Sequence, residues 1–133
     1  MPADLLRVPT ILGRSPIHGI GVFAADRIPK GTEVWRFSPG FDLDLDPSIV
    51  EGFPKHTRDW FAHFGYVDFH LDRLIVCLDN ARFINHSADP NLESDYGRDR
   101  YGPDYAGRDI GAGEELTADY SEFEKASGAN RSL

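Results

Sequence analysis

Apolar residues in this chain fall in short runs cut by Gly, Pro and Asp, not at helical spacing over long stretches. Such punctuation predicts many short strands joined by turns. Residues 5–12 are apolar up to the turn signal Gly13-Arg14-Ser15-Pro16 and predict a first strand. Residues 21–25 follow a glycine pair and predict a second. Ile28-Pro29-Lys30-Gly31-Thr32 is a turn, because Pro fixes φ and Gly permits φ > 0. Residues 34–37 alternate loosely and predict a third strand, ended by Ser38-Pro39-Gly40.

The stretch 42–64 has a different rhythm. Asp46 is suited to cap a short helix with Pro47 in its first turn, and Pro54 ends that pattern. A second helix is predicted over 57–64, stopped by Gly65. Strands are expected at 66–71 and 74–78, joined at Asp72-Arg73. Ala88-Asp89-Pro90-Asn91 is a turn, and 95–104 reads as an exposed polar loop. Strands are expected again at 105–110 and 115–120, separated by Gly111-Ala112-Gly113. The tail from Ser127 is expected to be flexible. No repeat of solenoid period occurs. The pattern predicts a mostly β domain of small sheets with short helices in its central insert.

Composition narrows this picture. The chain has 133 residues, 41% of them hydrophobic, which suits one domain with its own core. No run reaches the ~20 apolar residues that span a bilayer, and no leader sequence is legible at the N-terminus. Cys77 is the only cysteine, so neither an internal disulfide nor a Cys-rich zinc site is available. A lone cysteine fits a reducing cytoplasm. The net charge of -8 repels nucleic acid and attracts basic protein segments, although acidity by itself serves solubility equally well.

Three segments carry polar groups in patterns that suit chemistry. In His18-Gly19-Ile20-Gly21-Val22-Phe23-Ala24, two glycines let backbone approach a ligand. By itself that pattern is more often a plain turn, and it lacks dinucleotide or P-loop spacing. In Arg82-Phe83-Ile84-Asn85-His86-Ser87-Ala88-Asp89-Pro90-Asn91, Arg82 suits a ligand carboxylate and Asn85 suits an amine or a purine edge. Asn-His-Ser alone reads rather as a side-chain-capped turn before Asp-Pro. In Gly113-Glu114-Glu115-Leu116-Thr117-Ala118-Asp119-Tyr120, the bare pattern is a turn leading into a strand with one aromatic residue.

Taken together and in this order, the three segments resemble the SET-domain family of protein lysine methyltransferases, over nearly all of the chain from Leu12 to Tyr120. The resemblance implies a β-clip type fold of small curved sheets in residues 5–124, with a C-terminal pseudoknot, followed by a tail over 125–133. It implies S-adenosylmethionine as cofactor and lysine of a protein as acceptor. His18, Gly19, Ile20 and Gly21 would line the cofactor, Arg82 its carboxylate, Asn85 its amino end and His86 its adenine, with Tyr66 a further contact. Tyr120 matches the active-site tyrosine, and Ala118, Phe123 and Phe37 fall on the lysine channel.

The implied chemistry needs an uncharged amine. Lysine has a pKa near 10.4, so neutralising it at pH 7 costs roughly 4–5 kcal/mol. A desolvated aromatic channel lowers that cost, and alignment supplies much of the rate. The resemblance assigns no general base, the proton being left to water, and no metal.

Several positions depart from the family's pattern. Ala118 stands where a bulky aromatic is common, which leaves room for higher methylation. The C-terminal Cys cluster is absent, and Phe123 is the candidate replacement wall. Arg36 replaces a frequent acid, and 42–64 occupies the variable insert. A homodimer that completes the site is a further expectation. His56, His63 and His70 recur every seven residues, but Gly65 breaks the helix that a metal stripe would need. Cys77 reads as a buried small hydrophobe. The alternatives are a binding module of the same fold without catalysis and a methyltransferase for a small amine. An active lysine methyltransferase of the cytoplasm, or of the nucleus in a eukaryote, is the leading expectation.

Overall fold

A computed structural model describes residues 6–124. The chain's first apolar run is divided by Pro9, which has no N–H to give to a ladder. Before it, Leu6 bridges Trp35 and the Arg7 amide donates to Val34 O. After it, β1 (Thr10–Arg14) pairs antiparallel with β2 (Ile20–Ala24), with Leu12 opposite Val22 and Gly13 opposite Gly21. The single strand expected over 5–12 is therefore two short pairings with different partners.

β3 (Glu33–Trp35) ends before Arg36 and Phe37 and shifts register between Glu33 and Trp35. β4 (Leu43–Leu45) precedes a 3-10 turn, Pro47–Gly52, whose cap is Asp46, accepting from the Ser48 amide as the sequence suggests. α1 spans Lys55–Phe64, starting two residues earlier than expected, directly after Pro54. It buries no residue, and its aromatics Trp60, Phe61 and Phe64 contact one another.

β5 (Gly65–Asp68) is shorter than the run 66–71 because the Asp68 carboxylate accepts from the His70 and Leu71 amides and turns the chain. β6 (Arg73–Val76) pairs with both β5 and β4. β7 (Asn85–His86), β8 (Leu92–Ser94), β9 (Asp104–Ala106) and β10 (Thr117–Ala118) complete the fold. The four sheets are β1-β2, β3-β9-β8, β4-β6-β5 and the parallel pair β7-β10. Strands of two to five residues in small sheets match the predicted mostly β class.

Two regions differ from their sequence patterns. The loop 95–104 is not simply exposed. Tyr101 stacks on Phe37 with ring centroids 3.9 Å apart, Gly102 and Pro103 are buried, and Tyr96 stacks on His70 at 3.6 Å. The last strand shrinks from 115–120 to two residues because its segment serves two partners. Glu115 bridges Phe23 and the Leu116 amide donates to Val22 O, both on β2, before Thr117 and Ala118 pair with β7. Asp119 then accepts from the Ser121 amide and caps a 3-10 turn, Tyr120–Glu122. Residues 125–133, including the expected flexible tail, lie outside the described residues.

Asn91 holds this crossing together. Its side chain is 1% exposed, accepts from the Thr117 amide at 2.8 Å and donates to Glu115 O at 2.8 Å. The core around it contains Val22, Val34, Ile75, Leu92, Ile110 and Leu116, all fully buried.

Asn91→Leu keeps the side chain's approximate size and removes every one of these bonds. Two buried backbone groups then lose their partners, and urea denaturation should show a loss of roughly 2–4 kcal/mol. An unchanged midpoint would show that the crossing does not depend on the carboxamide.

Candidate active site

The three motif segments meet at Asn85. Its carboxamide nitrogen donates to His18 O at 3.0 Å, to Ile20 O at 3.4 Å and to Glu115 Oε2 at 2.9 Å. One buried side chain thus ties the glycine bend to the C-terminal motif. Glu115 also accepts from Ser15 Oγ, at 2.8 and 2.9 Å through its two oxygens.

The two glycines of the bend have different jobs. Gly19 has φ +47°, a conformation that L side chains rarely adopt, and a Cβ there would meet only open space. A Cβ at Gly21 would overlap the Glu115 carboxylate. So Gly19 shapes the turn beside an open groove, and Gly21 lets a protein carboxylate in. The groove, about 620 Å³, is lined by Leu12, Gly13, Arg14, Ser15, Gly19 and Ile20.

Ile84, the residue before Asn85, lies on the wall of a narrow cavity of about 40 Å³. That volume takes a few waters or the end of an aliphatic chain, and is far too small for a nucleoside. Its walls include Trp35, Phe64, Tyr66, Tyr96, Tyr120 and Phe123, together with Ala118, Arg82, Ser94 and Asp104. Tyr120 is 8% exposed; its hydroxyl donates to Ile84 O at 2.5 Å, and its amide donates to His86 Nδ1 at 3.0 Å. With its proton given to a carbonyl, the phenol oxygen keeps lone pairs for a guest. Accepting at Nδ1 places the proton of a neutral His86 ring on Nε2.

Most of the sequence-predicted residues gather here. Gly19 and Ile20 line the groove, and His18 O and Ile20 O hold Asn85. Tyr120, Ala118 and Phe123 line the cavity, and the Phe123 ring lies 4.7 Å from Tyr66 and 5.7 Å from Tyr120. Arg82 and Tyr66, expected at the cofactor, also face this cavity and not the groove. Arg82 Nε is buried without a hydrogen-bond partner, and its guanidinium lies over Phe64 and Phe83. Phe37, expected on the channel, is not on its wall: it packs on Tyr101, and Trp35 stands at the cavity two residues earlier. In a continued strand Phe37 would share the face of Trp35, but β3 ends at Trp35, and the chain beyond it carries the Phe37 ring onto Tyr101.

His70 is held by Tyr96 and by Glu122 O at 3.0 Å, away from His56 and His63 on α1. Among the described residues no three His, Cys, Asp or Glu side chains gather as a metal site.

Sequence reasoning missed Glu115, Asn91 and Asp104 as site residues. Asp104 sat at the edge of an apparent polar loop. The one signal was its place at the head of the alternating run Asp-Tyr-Ala, where an acid takes an inward position. Its carboxyl is pushed up to about 7 by burial, with Glu122 adding to the rise and a 2.8 Å hydrogen bond from Ser94 Oγ opposing it. Burial raises Tyr66 well above the ordinary tyrosine value and also raises Glu122.

The profile of the SET domain family matches residues 19–121. No curated protein matches the chain. A humanized mutant of the Chaetomium thermophilum Polycomb Repressive Complex 2 bound to the inhibitor GSK126 is 26% identical, with a TM-score of 0.61 over 87% of this chain. ctPRC2 in an autoinhibited conformation bound to S-adenosylmethionine is 24% identical, with a TM-score of 0.62 over 87% of this chain. This chain spans only 15% and 16% of those two chains. A Plasmodium falciparum protein provisionally named a histone methyltransferase is 21% identical, with a TM-score of 0.57, and is covered over 94% of its length by 86% of this chain.

Asp104 keeps its proton in the folded chain at pH values where an unfolded aspartate, near 3.8, has lost it. Folding therefore takes up a proton between about pH 4 and 7, and stability falls as pH rises through that window. Asp104→Asn should gain stability relative to the parent from pH 4 to 7 and hold that gain above 7, measured by thermal melts across pH. A difference that stays flat with pH would contradict the raised carboxyl.

Proposed function

The chain belongs to the SET-domain family, and from that premise we propose that it transfers methyl groups from S-adenosylmethionine to lysine side chains of proteins. The observation that carries the reading is the path from Gly19 to Tyr120. An open groove, the Asn85 carboxamide, Ile84 O and the Tyr120 phenol follow one another, and the phenol stands in a cavity sized for an aliphatic tip.

The residues present fit the cofactor. Arg82 Nε is a buried donor without a partner, which suits a carboxylate, and the space beside Gly19 is open at the groove. Gly19, Ile20 and Asn85 would hold it from the groove side and Arg82 from the cavity side, and His86 adjoins through β7. When bound, the sulfonium supplies an electrophilic methyl group.

The chain's own residues do the rest. Trp35, Phe64, Tyr66, Tyr96 and Phe123 wall the cavity with aromatic surface, which disfavours an ammonium stripped of water and lowers the lysine pKa. The Tyr120 oxygen, fixed by its bond to Ile84 O, accepts from the amine and aims its lone pair. Ala118, 5% exposed and paired with His86, presents only a methyl group to that wall of the cavity, which supports di- and trimethyl products. A net charge of -8 favours a lysine in a basic segment. The insert helix α1 buries none of its residues and leaves Trp60 38% exposed, which supports a role for the insert in meeting the substrate peptide.

Isothermal calorimetry should show S-adenosylmethionine binding, and radiolabelled transfer should mark lysines in purified mixed histones. Tyr120→Phe should cut transfer on the order of 100-fold while leaving cofactor affinity nearly unchanged. Cofactor binding with no transfer to any basic protein would leave a binding module. Ala118→Phe should shift the products, read by mass spectrometry, toward monomethyl-lysine. An unchanged product distribution would remove Ala118 from the channel wall.

A further inference from the structure

The cavity contains a carboxylate that the methyl-transfer reading does not use. Trp35, Asp104 and Ser94 stand side by side across the β3-β9-β8 sheet: Asp104 is the register partner of Trp35 on one side and of Ser94 on the other. All three line the cavity that holds Tyr120. A sheet face thus presents one acid, flanked by an indole and a hydroxyl, to the space where an amine would sit.

A second observation marks this wall as built for a polar guest. Trp35 is 3% exposed, and its indole Nε1 is buried without a hydrogen-bond partner. Buried donors of this kind are rarely left unmet. The groups facing Asp104 are Ser94 and Glu122 from β8 and the C-terminal turn, Tyr96 from the loop before β9, Tyr66 from β5, Cys77 just after β6, and Arg82 and Tyr120 elsewhere on the cavity wall. Ser94 bonds to Asp104, while Arg82 packs over two aromatic rings.

We propose that Asp104 accepts the proton of the substrate ammonium in this cavity. This rests on the lysine methyltransferase reading and deepens it. The N–H bond of the ammonium breaks and an O–H bond forms on the carboxylate. The charges +1 and -1 become zero, and the nitrogen keeps the electron pair that makes it a nucleophile. The proton leaves later to water at the cavity mouth. The same burial drives both partners in one direction: it lowers an amine's pKa and raises a carboxyl's, so the values approach each other near neutral pH. The carboxyl's rise to about 7 is consistent with this. A plain ion pair in water would instead hold the proton on the amine.

The test uses the full chain labelled with ¹³C at aspartate carboxyls, with n-butylamine as the lysine tip, and methyl transfer from S-adenosylmethionine to mixed histones from pH 6 to 9. One carboxyl should titrate near pH 7, move on adding n-butylamine, and be absent in Asp104→Asn. Transfer by the parent should rise with pH through the same midpoint. Asp104→Asn should be about 10-fold or more slower at pH 7.5 and regain rate steadily at higher pH, with cofactor affinity unchanged. Ser94→Ala, which removes a bond to the charged form, should move the midpoint upward and serves if Asp104→Asn does not fold. The proposal is overturned if every aspartate titrates below pH 5.5, if n-butylamine leaves the raised carboxyl unmoved, or if Asp104→Asn keeps the parent's rate and pH profile. Should the carboxyl titrate and respond to amine while the parent transfers no methyl group, the methyltransferase reading fails and the amine-proton site stands.

Discussion

The segment Glu115 to Ala118 must satisfy its backbone on two sides at once, and the rest of the site depends on how it does so. Its first residues bond to β2 and its last to β7, with no room for a continuous ladder to either. Buried amides and carbonyls left over at such a crossing would each cost as much as a lost hydrogen bond. Asn91 removes that cost at the crossing, and Asn85 ties the same segment to the glycine bend. Asn91 meets the Thr117 amide and Glu115 O, and Asn85 meets the Glu115 carboxylate and the bend at His18 and Ile20. A carboxamide suits this work because it donates and accepts from one planar group without a charge to desolvate.

The groove and the cavity are consequences of that crossing. The glycine bend is held by Asn85, and Tyr120 is fixed through the neighbours of Asn85, Ile84 and His86. Aromatic rings then close the cavity around a carboxylate, and burial among them holds that carboxyl above the ordinary aspartate range. Destabilisation of Asp104 in its charged form is the cost of that arrangement to the folded state.

Much of the site was legible because its residues carry backbone-level constraints. Asp46 and Pro47 mark a helix start whatever surrounds them, and so they do here. Gly19, Asn85 and Tyr120 occupy motifs whose order is fixed along the chain, and the structure brings their segments together. What failed were lengths and faces. The run 115–120 scans as one strand because alternation does not reveal that its partner changes at Leu116. Phe37 and Trp35 are equally aromatic in the sequence; the end of β3 decided which one meets the cavity. The polar loop 95–104 hides Tyr96 and Tyr101, whose rings are drawn inward by His70 and Phe37, partners remote in sequence.

The sequence by itself determined the element types, the mostly β class, the family and the motif residues that converge, since turns, caps and glycine positions act locally. Only the tertiary structure decided that Gly21 makes way for Glu115, that Asn91 clamps the crossing, and that Asp104 faces Tyr120's cavity. Each of these depends on which distant chain lies alongside. Close approach and burial are properties of the assembled core, and local hydrogen-bonding preferences do not specify them.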